Sequence, residues 1–163
     1  MNIVLNLIPK LYIKIMISEK NKIAFTELFT GVSQTIPKDF PSEAHHYIDL
    51  VKDCFHSKMN PFSKTPYNPE LEPWRLIETT VLHPFAIRVF EEVVKIPRGA
   101  TKTYGDLALE INSGSRAVGN TLARNHFPIL FPCHRILPKA GGIGFFLAGT
   151  QVKKMLLDSE MNT

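Results

Sequence analysis

The chain has 163 residues, of which 44% are hydrophobic and 21% are charged. This balance excludes a disordered chain and suffices for one domain or two small ones. No apolar run approaches the roughly 20 residues of a membrane-spanning helix, so we expect no membrane association. The apolar stretch over residues 3–17 is interrupted by Pro9, Lys10 and Lys14 and lacks a small-residue cleavage site, which excludes a signal peptide.

The positive charge lies in the second half of the chain. Residues 1–78 contain 9 Lys+Arg and 9 Asp+Glu, whereas residues 79–163 contain 10 and 6, which accounts for the whole net charge of +4. Such a local excess suits a polyanionic partner. The two cysteines, Cys54 and Cys133, show no pattern of a secreted disulfide scaffold. We therefore expect a reducing compartment: the cytoplasm, or the nucleus if the source is eukaryotic.

The first half predicts a small α/β unit. Residues 11–17 and 23–29 are rich in β-branched and aromatic side chains and predict two strands joined by a turn. Apolar positions three to four apart across residues 41–55 predict a helix. Four prolines in residues 60–73 predict a linker or an extended loop. The histidines of this half match no zinc-ligand spacing, so we expect no metal site.

The second half predicts three helices followed by a fourth at the C-terminal end. An apolar stripe begins after Pro84, a residue favoured at helix starts. Thr103 is placed to cap a second helix, and Ser115 a third that runs to about Arg124. Two helices joined by a tight glycine-containing turn are typical of a helix-turn-helix, and equally of an ordinary helical hairpin. The third helix opens with Arg116, which suits an exposed recognition element.

An apolar run over residues 129–131 leads into the most reactive group of the sequence. The run predicts a buried strand that ends at Pro132. Cys133 follows, beside His134 and Arg135, and positively charged neighbours favour the nucleophilic thiolate. A lone cysteine is more often a buried structural residue, but this setting favours a reactive one. The glycine cluster of residues 141–149 then allows close backbone approach to a ligand.

These motifs, in this order and spacing, resemble the O6-alkylguanine-DNA alkyltransferase family over roughly the last 80 residues, about one domain. The resemblance is carried by Arg116-Ala117-Val118-Gly119, Asn125, Pro132-Cys133-His134-Arg135, the glycine-rich segment and the helix ending at Glu160. It implies an α/β (α+β) fold with a small N-terminal α/β domain at residues 1–78. It further implies a mainly helical, winged helix-turn-helix-like domain at residues 79–163, which binds DNA and accepts the alkyl group.

The resemblance also implies a reaction. The protein would be a DNA repair enzyme that moves the alkyl (methyl) group of O6-alkylguanine irreversibly to Cys133, once per molecule and without a cofactor. The histidine His134 would act as base through a bridging water, Glu160 would orient it, and Asn125 would tie the recognition helix to the active-site loop. These four are the implied catalytic residues.

The implied partner is double-stranded DNA, bound by a monomer through the minor groove with the damaged base extruded. Arg116 would fill the gap left by that base, and Tyr104 would contact the extruded nucleotide. The small residues Ala117 and Gly119 would allow close approach to the groove. Arg135 completes the implied DNA-binding set.

The sequence departs from the family at the implied substrate pocket, formed by Tyr104, Phe146, Leu147 and Ala148. Phe146 replaces a common tyrosine, and Leu147 and Ala148 replace a smaller pair, so we expect restriction of large adducts such as benzyl. Two alternative functions remain. A lesion-binding module without transfer activity would lack the cysteine, and a helix-turn-helix regulator would leave the thiol and its base unexplained.

Overall fold

The computed structural model describes residues 1–31 and 44–161. Within these ranges no helix combines the length and the apolar composition of a membrane crossing. Three strands form an antiparallel sheet in the order β1-β2-β3, where β1 is Asn2–Ile8, β2 is Leu11–Ile17 and β3 is Ile23–Thr30. The strands predicted at 11–17 and 23–29 are confirmed. The sequence patterns did not single out β1, although its alternate residues are buried as in any half-buried strand.

Helix α1, His45–His56, packs its apolar face into the core beside this sheet. The predicted face is confirmed, because Ala44, Ile48, Val51 and Phe55 are all buried; residues 41–43 of the predicted helix lie outside the described residues. The predicted loop over residues 60–73 is packed rather than free. It contains a 3-10 turn at Pro61–Lys64, and Phe62 within it is 1% exposed.

Four helices occupy the second half: α2 (Pro84–Val93), α3 (Tyr104–Glu110), α4 (Ser115–Leu122) and α5 (Thr150–Met161). The two-residue strands β4 (Lys102–Thr103) and β5 (Ile136–Leu137) pair in parallel. Helices α3 and α4, joined by a short turn, form the predicted helix-turn-helix. The predicted cap at Ser115 is wrong: Gly114 occupies the cap position without a side-chain hydrogen bond, and α4 ends two residues early. The α+β fold class is confirmed.

Thr103 begins α3 with a reciprocal capping box. Its hydroxyl accepts from the Asp106 N–H at 3.1 Å, and the Asp106 carboxylate accepts from the Thr103 N–H at 3.2 Å. We expect Thr103→Ala to lower the free energy of unfolding by about 1 kcal/mol, since a helix donor loses its partner. Urea titration followed by circular dichroism measures this. Thr101→Ala, at an exposed position outside the helix, is the control and should change stability by less than about 0.5 kcal/mol.

The sheet is bonded directly to the segment that precedes Cys133. Thr26 of β3 donates its N–H to the His126 carbonyl at 2.8 Å and its hydroxyl to the Pro128 carbonyl at 3.0 Å. The Asn60 amide donates to the Leu130 carbonyl at 2.9 Å. Buried side chains from both halves form one continuous apolar cluster. The division into domains at residue 78 stays a prediction, and these bonds cross it.

Candidate active site

Cys133 lies at the start of a 3-10 turn, Cys133–Arg135, and is 7% exposed. The predicted strand at residues 129–131 is wrong, although those residues are buried as expected. The chain turns there instead: the Phe131 N–H bonds to the Phe127 carbonyl at 2.9 Å, and Ile129 has a φ of 76°. The ring of Phe131 stacks on Phe90 of α2, with centroids 4.4 Å apart. Aromatic packing thus fixes the backbone that leads into the cysteine.

Asn125 joins the end of α4 to the cysteine. Its amide nitrogen donates to the Cys133 sulfur at 3.2 Å and to the Phe131 carbonyl at 2.9 Å. Its amide oxygen accepts from the Phe127 N–H at 2.9 Å. Every one of these contacts is buried, so the side chain holds the sulfur in a fixed place relative to the helix-turn-helix. A donor to sulfur also favours the thiolate over the thiol.

The charge that acts on Cys133 comes from α5. Burial raises the pKa of the Cys133 thiol, while the Asn125 hydrogen bond and the positive charge of Lys153 lower it. Lys153 is fully buried, and its ammonium donates to the Ile136 carbonyl at 2.6 Å. Burial also lowers the pKa of Lys153 itself, an effect that the Cys133 charge opposes. Lys153 was not predicted, yet a signal existed: it lies seven residues before Glu160, on the same helical face.

His134 and Glu160 form a buried pair, as the predicted base and its orienting carboxylate require. His134 Nε2 lies 2.8 Å from Glu160 Oε1, and both side chains are at most 2% exposed. Burial lowers the pKa of His134 even though Glu160 opposes the shift, which favours a neutral ring. With Nε2 donating to Glu160, the lone pair is on Nδ1, a buried atom without a hydrogen-bond partner among the described residues.

Arg135 holds the same carboxylate from the other side. Its guanidinium donates to Glu160 at 2.9 and 3.0 Å and to the Ile96 carbonyl at 2.8 Å. Burial acts against the Glu160 charge, but the hydrogen bonds and charges of His134 and Arg135 hold its pKa well below the usual range. Arg135 is 1% exposed. Its predicted DNA-binding role is therefore corrected: it is an internal partner of Glu160 and does not reach the surface.

A cleft of about 510 Å³ opens next to Cys133. Tyr104 from α3, Arg116 and Gly119 from α4, and Phe146 and Leu147 from the glycine-rich loop all line it. The structure thus brings most of the predicted DNA-contact and pocket residues to one opening. Ala117 is exposed beside the cleft but is not part of its lining, and Ala148 borders a neighbouring cavity instead.

The glycine-rich loop needs glycine at Gly144, where φ is 71°. A Cβ added there would lie 2.8 Å from the Pro138 ring, closer than real Cβ contacts. The compact turn places Phe146, which is 6% exposed, against the cleft, whereas Leu147 remains 58% exposed at its mouth. The positive φ values expected of the clustered glycines are confirmed at Gly141, Gly142, Gly144 and Gly149, whereas the close backbone approach to a ligand stays a prediction.

The second half of the chain is similar in sequence to known proteins. Residues 84–162 match the family described as the 6-O-methylguanine DNA methyltransferase, DNA binding domain. The methylated-DNA–protein-cysteine methyltransferase of Thermococcus kodakarensis is 45% identical over 78 residues, covering 47% of this chain and 44% of that protein. Its namesake in Methanothermobacter thermautotrophicus is 40% identical over 73 residues, covering 45% and 42%. The chain thus spans somewhat under half the length of these curated relatives.

Solved structures share the fold over nearly the whole chain. An O6-methylguanine-DNA methyltransferase from Pyrococcus kodakaraensis aligns with a TM-score of 0.70 at 24% identity, covering 98% of this chain and 97% of its own. The OGT of Mycobacterium tuberculosis, solved in complex with DNA, aligns with a TM-score of 0.66 at 22% identity, covering 99% and 92%. At these identities the likeness concerns the fold. The similarity in sequence is therefore to the 6-O-methylguanine DNA methyltransferase DNA-binding domain, over residues 84–162, and the similarity in fold extends over nearly the whole chain.

Proposed function

We propose that this protein repairs DNA by transferring an alkyl group, such as methyl, from O6 of guanine to the sulfur of Cys133. The observation that carries the proposal is the position of that sulfur, at the wall of an open cleft and bonded to Asn125. His134, the next residue in the chain, forms a buried pair with Glu160. The curated relatives are named for methyl transfer from methylated DNA to a protein cysteine.

The reaction is a displacement at carbon. The Cys133 sulfur attacks the alkyl carbon, a sulfur–carbon bond forms, and the carbon–O6 bond breaks with its electron pair passing to guanine, which takes up a proton from solvent. His134 Nδ1 receives the thiol proton through a bridging water, and the Glu160 carboxylate stabilises the imidazolium that results. The thioether is stable, so each molecule reacts once. Lys153 stabilises the thiolate before attack.

The DNA would lie against α4 and the mouth of the cleft. Arg116 and Ala117 are exposed at the start of α4, and Tyr104 and Gly119 stand behind them at the opening. We place α4 in the minor groove, with the alkylated base extruded into the cleft, because a base inside the duplex cannot reach a sulfur that is 7% exposed. Readout of sequence should be weak, since the minor-groove code is degenerate.

Incubation with a duplex that carries one O6-methylguanine tests this function. We expect intact mass to show one methyl per molecule, peptide mapping to place it on Cys133, and one guanine to be restored per methyl gained. Cys133→Ala is the matched control and should gain none. Tight binding to the lesion without a mass change would instead identify a lesion-binding module, and indifference to the lesion would overturn both.

Arg116→Ala should slow repair in duplex DNA much more than reaction with free O6-methylguanine. Extrusion costs about a few kcal/mol, so losing the residue that fills the gap should slow duplex repair by roughly tenfold or more. Single-turnover rates on the two substrates measure the difference. Arg124→Ala removes the same charge from an exposed position outside the cleft and should leave the ratio of the two rates unchanged. Equal losses on both substrates with Arg116→Ala would contradict the extrusion role.

A further inference from the structure

A second, smaller cavity meets the cleft at Cys133. It has a volume of about 140 Å³ and lies between β3 and the glycine-rich loop, with Phe25 and Leu28 contributing to its lining. Four residues border both this cavity and the cleft: Leu122, Cys133, Phe146 and Leu147. The reactive sulfur is therefore shared by two spaces. Among the described residues, those of the N-terminal half line the smaller space and not the cleft.

That wall is held rigidly to the active-site segment. The two hydrogen bonds from Thr26 to the carbonyls of His126 and Pro128 fix β3 against the residues that follow Asn125. Thr26 is 1% exposed and Leu28 is 6% exposed, so this part of β3 faces inward. The ring of Phe25 lies 5.4 Å from the ring of His126. The dimensions of the cavity thus depend on the N-terminal sheet and not only on the glycine-rich loop.

We propose that β3, chiefly Leu28, sets the largest alkyl group that Cys133 accepts, because β3 walls the cavity beside the sulfur where the part of the group beyond the transferred carbon would lie. The inference rests on the proposed function. In a displacement the carbon moves from O6 to sulfur, so its substituent must occupy space beside the sulfur that guanine does not fill. An apolar cavity of about 150 Å³ admits a benzene ring, and this one is of similar size and mostly apolar.

The sequence suggested the opposite size limit, because Leu147 and Ala148 are bulkier than the pair they replace. In the structure Leu147 is 58% exposed and borders both spaces without closing either of them. Ala148 borders the small cavity with a side chain of only one carbon. A benzyl group is accordingly within the range of this site, and the limit is set by the sheet behind it.

Transfer rates from duplexes that carry O6-methylguanine or O6-benzylguanine test the size limit. The wild-type protein should accept both groups. Leu28→Phe fills the cavity and should lower the benzyl-to-methyl rate ratio by about tenfold or more, since a misfit of one methylene is worth roughly 10- to 200-fold. Leu28→Ala should keep or raise that ratio. Leu5→Phe and Leu5→Ala are matched controls, because Leu5 lies in the same sheet and is 7% exposed, against 6% for Leu28, but borders neither cavity.

A second measurement separates this proposal from the repair function. Methyl iodide and benzyl bromide alkylate a thiolate directly, forming the sulfur–carbon bond as the halide leaves, and peptide mapping reports the extent at Cys133. Leu28→Phe should lower the benzyl-to-methyl ratio here too. If it does so while no alkylguanine reacts, the size limit stands and the repair function falls. An unchanged ratio in both assays, or a wild-type protein that transfers methyl but excludes benzyl, overturns the role of β3.

Discussion

Replacing Glu160 with glutamine is expected to lower the free energy of unfolding by about 3–5 kcal/mol at pH 7, because it leaves the buried guanidinium of Arg135 without a counter-charge. His134 loses its anionic partner in the same step, so alkyl transfer should also slow strongly. Urea denaturation measures the stability, and single-turnover transfer measures the rate. Asp158→Asn is the control: it breaks an exposed ion pair with Lys154 on the same helix and should cost at most about 1 kcal/mol.

The pairing of Glu160 with His134 and Arg135 also predicts how the free energy of unfolding changes with pH. The carboxyl has a pKa lowered by its partners in the fold, so the unfolded chain binds a proton first as acid is added. The stability contributed by this group is therefore complete above the unfolded pKa of about 4.3 and is lost as the pH falls towards the folded value. Glu160→Gln should remove that part of the acid dependence. If the variant is as stable as the wild type, and its free energy of unfolding falls in the same way at acid pH, the pairing of Glu160 with His134 and Arg135 is contradicted.

Replacing Lys153 with methionine is expected to slow alkyl transfer at pH 7 by about tenfold for each unit by which the Cys133 pKa rises. The buried ammonium lowers that pKa, so its removal leaves less thiolate at a given pH. The rate should recover as the pH is raised, and the whole profile should shift to higher pH. Rates measured between pH 6 and 10 with O6-methylguanine duplex, and separately with iodoacetamide, report the shift with and without DNA.

The neighbouring Lys154→Met provides the matched control for Lys153. Lys154 is exposed on the other face of α5 and pairs with Asp158, so removing its charge should leave the pH dependence of the transfer rate unchanged. A Lys153→Met profile that coincides with the wild-type one would show that the ammonium does not act on the sulfur. A uniform loss at every pH, without a shift, would assign Lys153 a purely structural role through its bond to the Ile136 carbonyl.

The elements that the sequence predicts well are those set by local signals. The apolar stripe of α2, its initial proline and the Thr103 cap of α3 depend on residues within one or two turns, and all three are confirmed. The apolar run before Cys133 is different. A short buried run is compatible with several backbone conformations, and here the left-handed Ile129 and the stacking of Phe131 on Phe90 make a turn. That preference comes from packing against Phe90 of α2, 41 residues before Phe131 in the chain.

The same limit applies to the charges at the site. His134 and Arg135 follow Cys133 in the chain, and adjacency suggested that they stabilise its thiolate. In the fold both side chains turn to Glu160, and the cation that lowers the Cys133 pKa is supplied by Lys153, twenty residues later. Sequence proximity identifies the residues that belong to a site, but the 3-10 turn decides which of them face one another.

The hydrogen bonds from Thr26 and Asn60 to the segment before Cys133 affect how freely the sequence of the first half can change. Their acceptors are the main-chain carbonyls of residues 126, 128 and 130, which every amino acid possesses. Most side chains of the first half can therefore change without breaking these hydrogen bonds, provided that hydrogen-bond donors remain at the positions of Thr26 and Asn60. Such bonds are compatible with a family match that covers residues 84–162 and a fold likeness that covers 98% of the chain. The contact between the two halves therefore depends on main-chain acceptors, and side-chain substitutions at residues 126, 128 and 130 leave those acceptors in place.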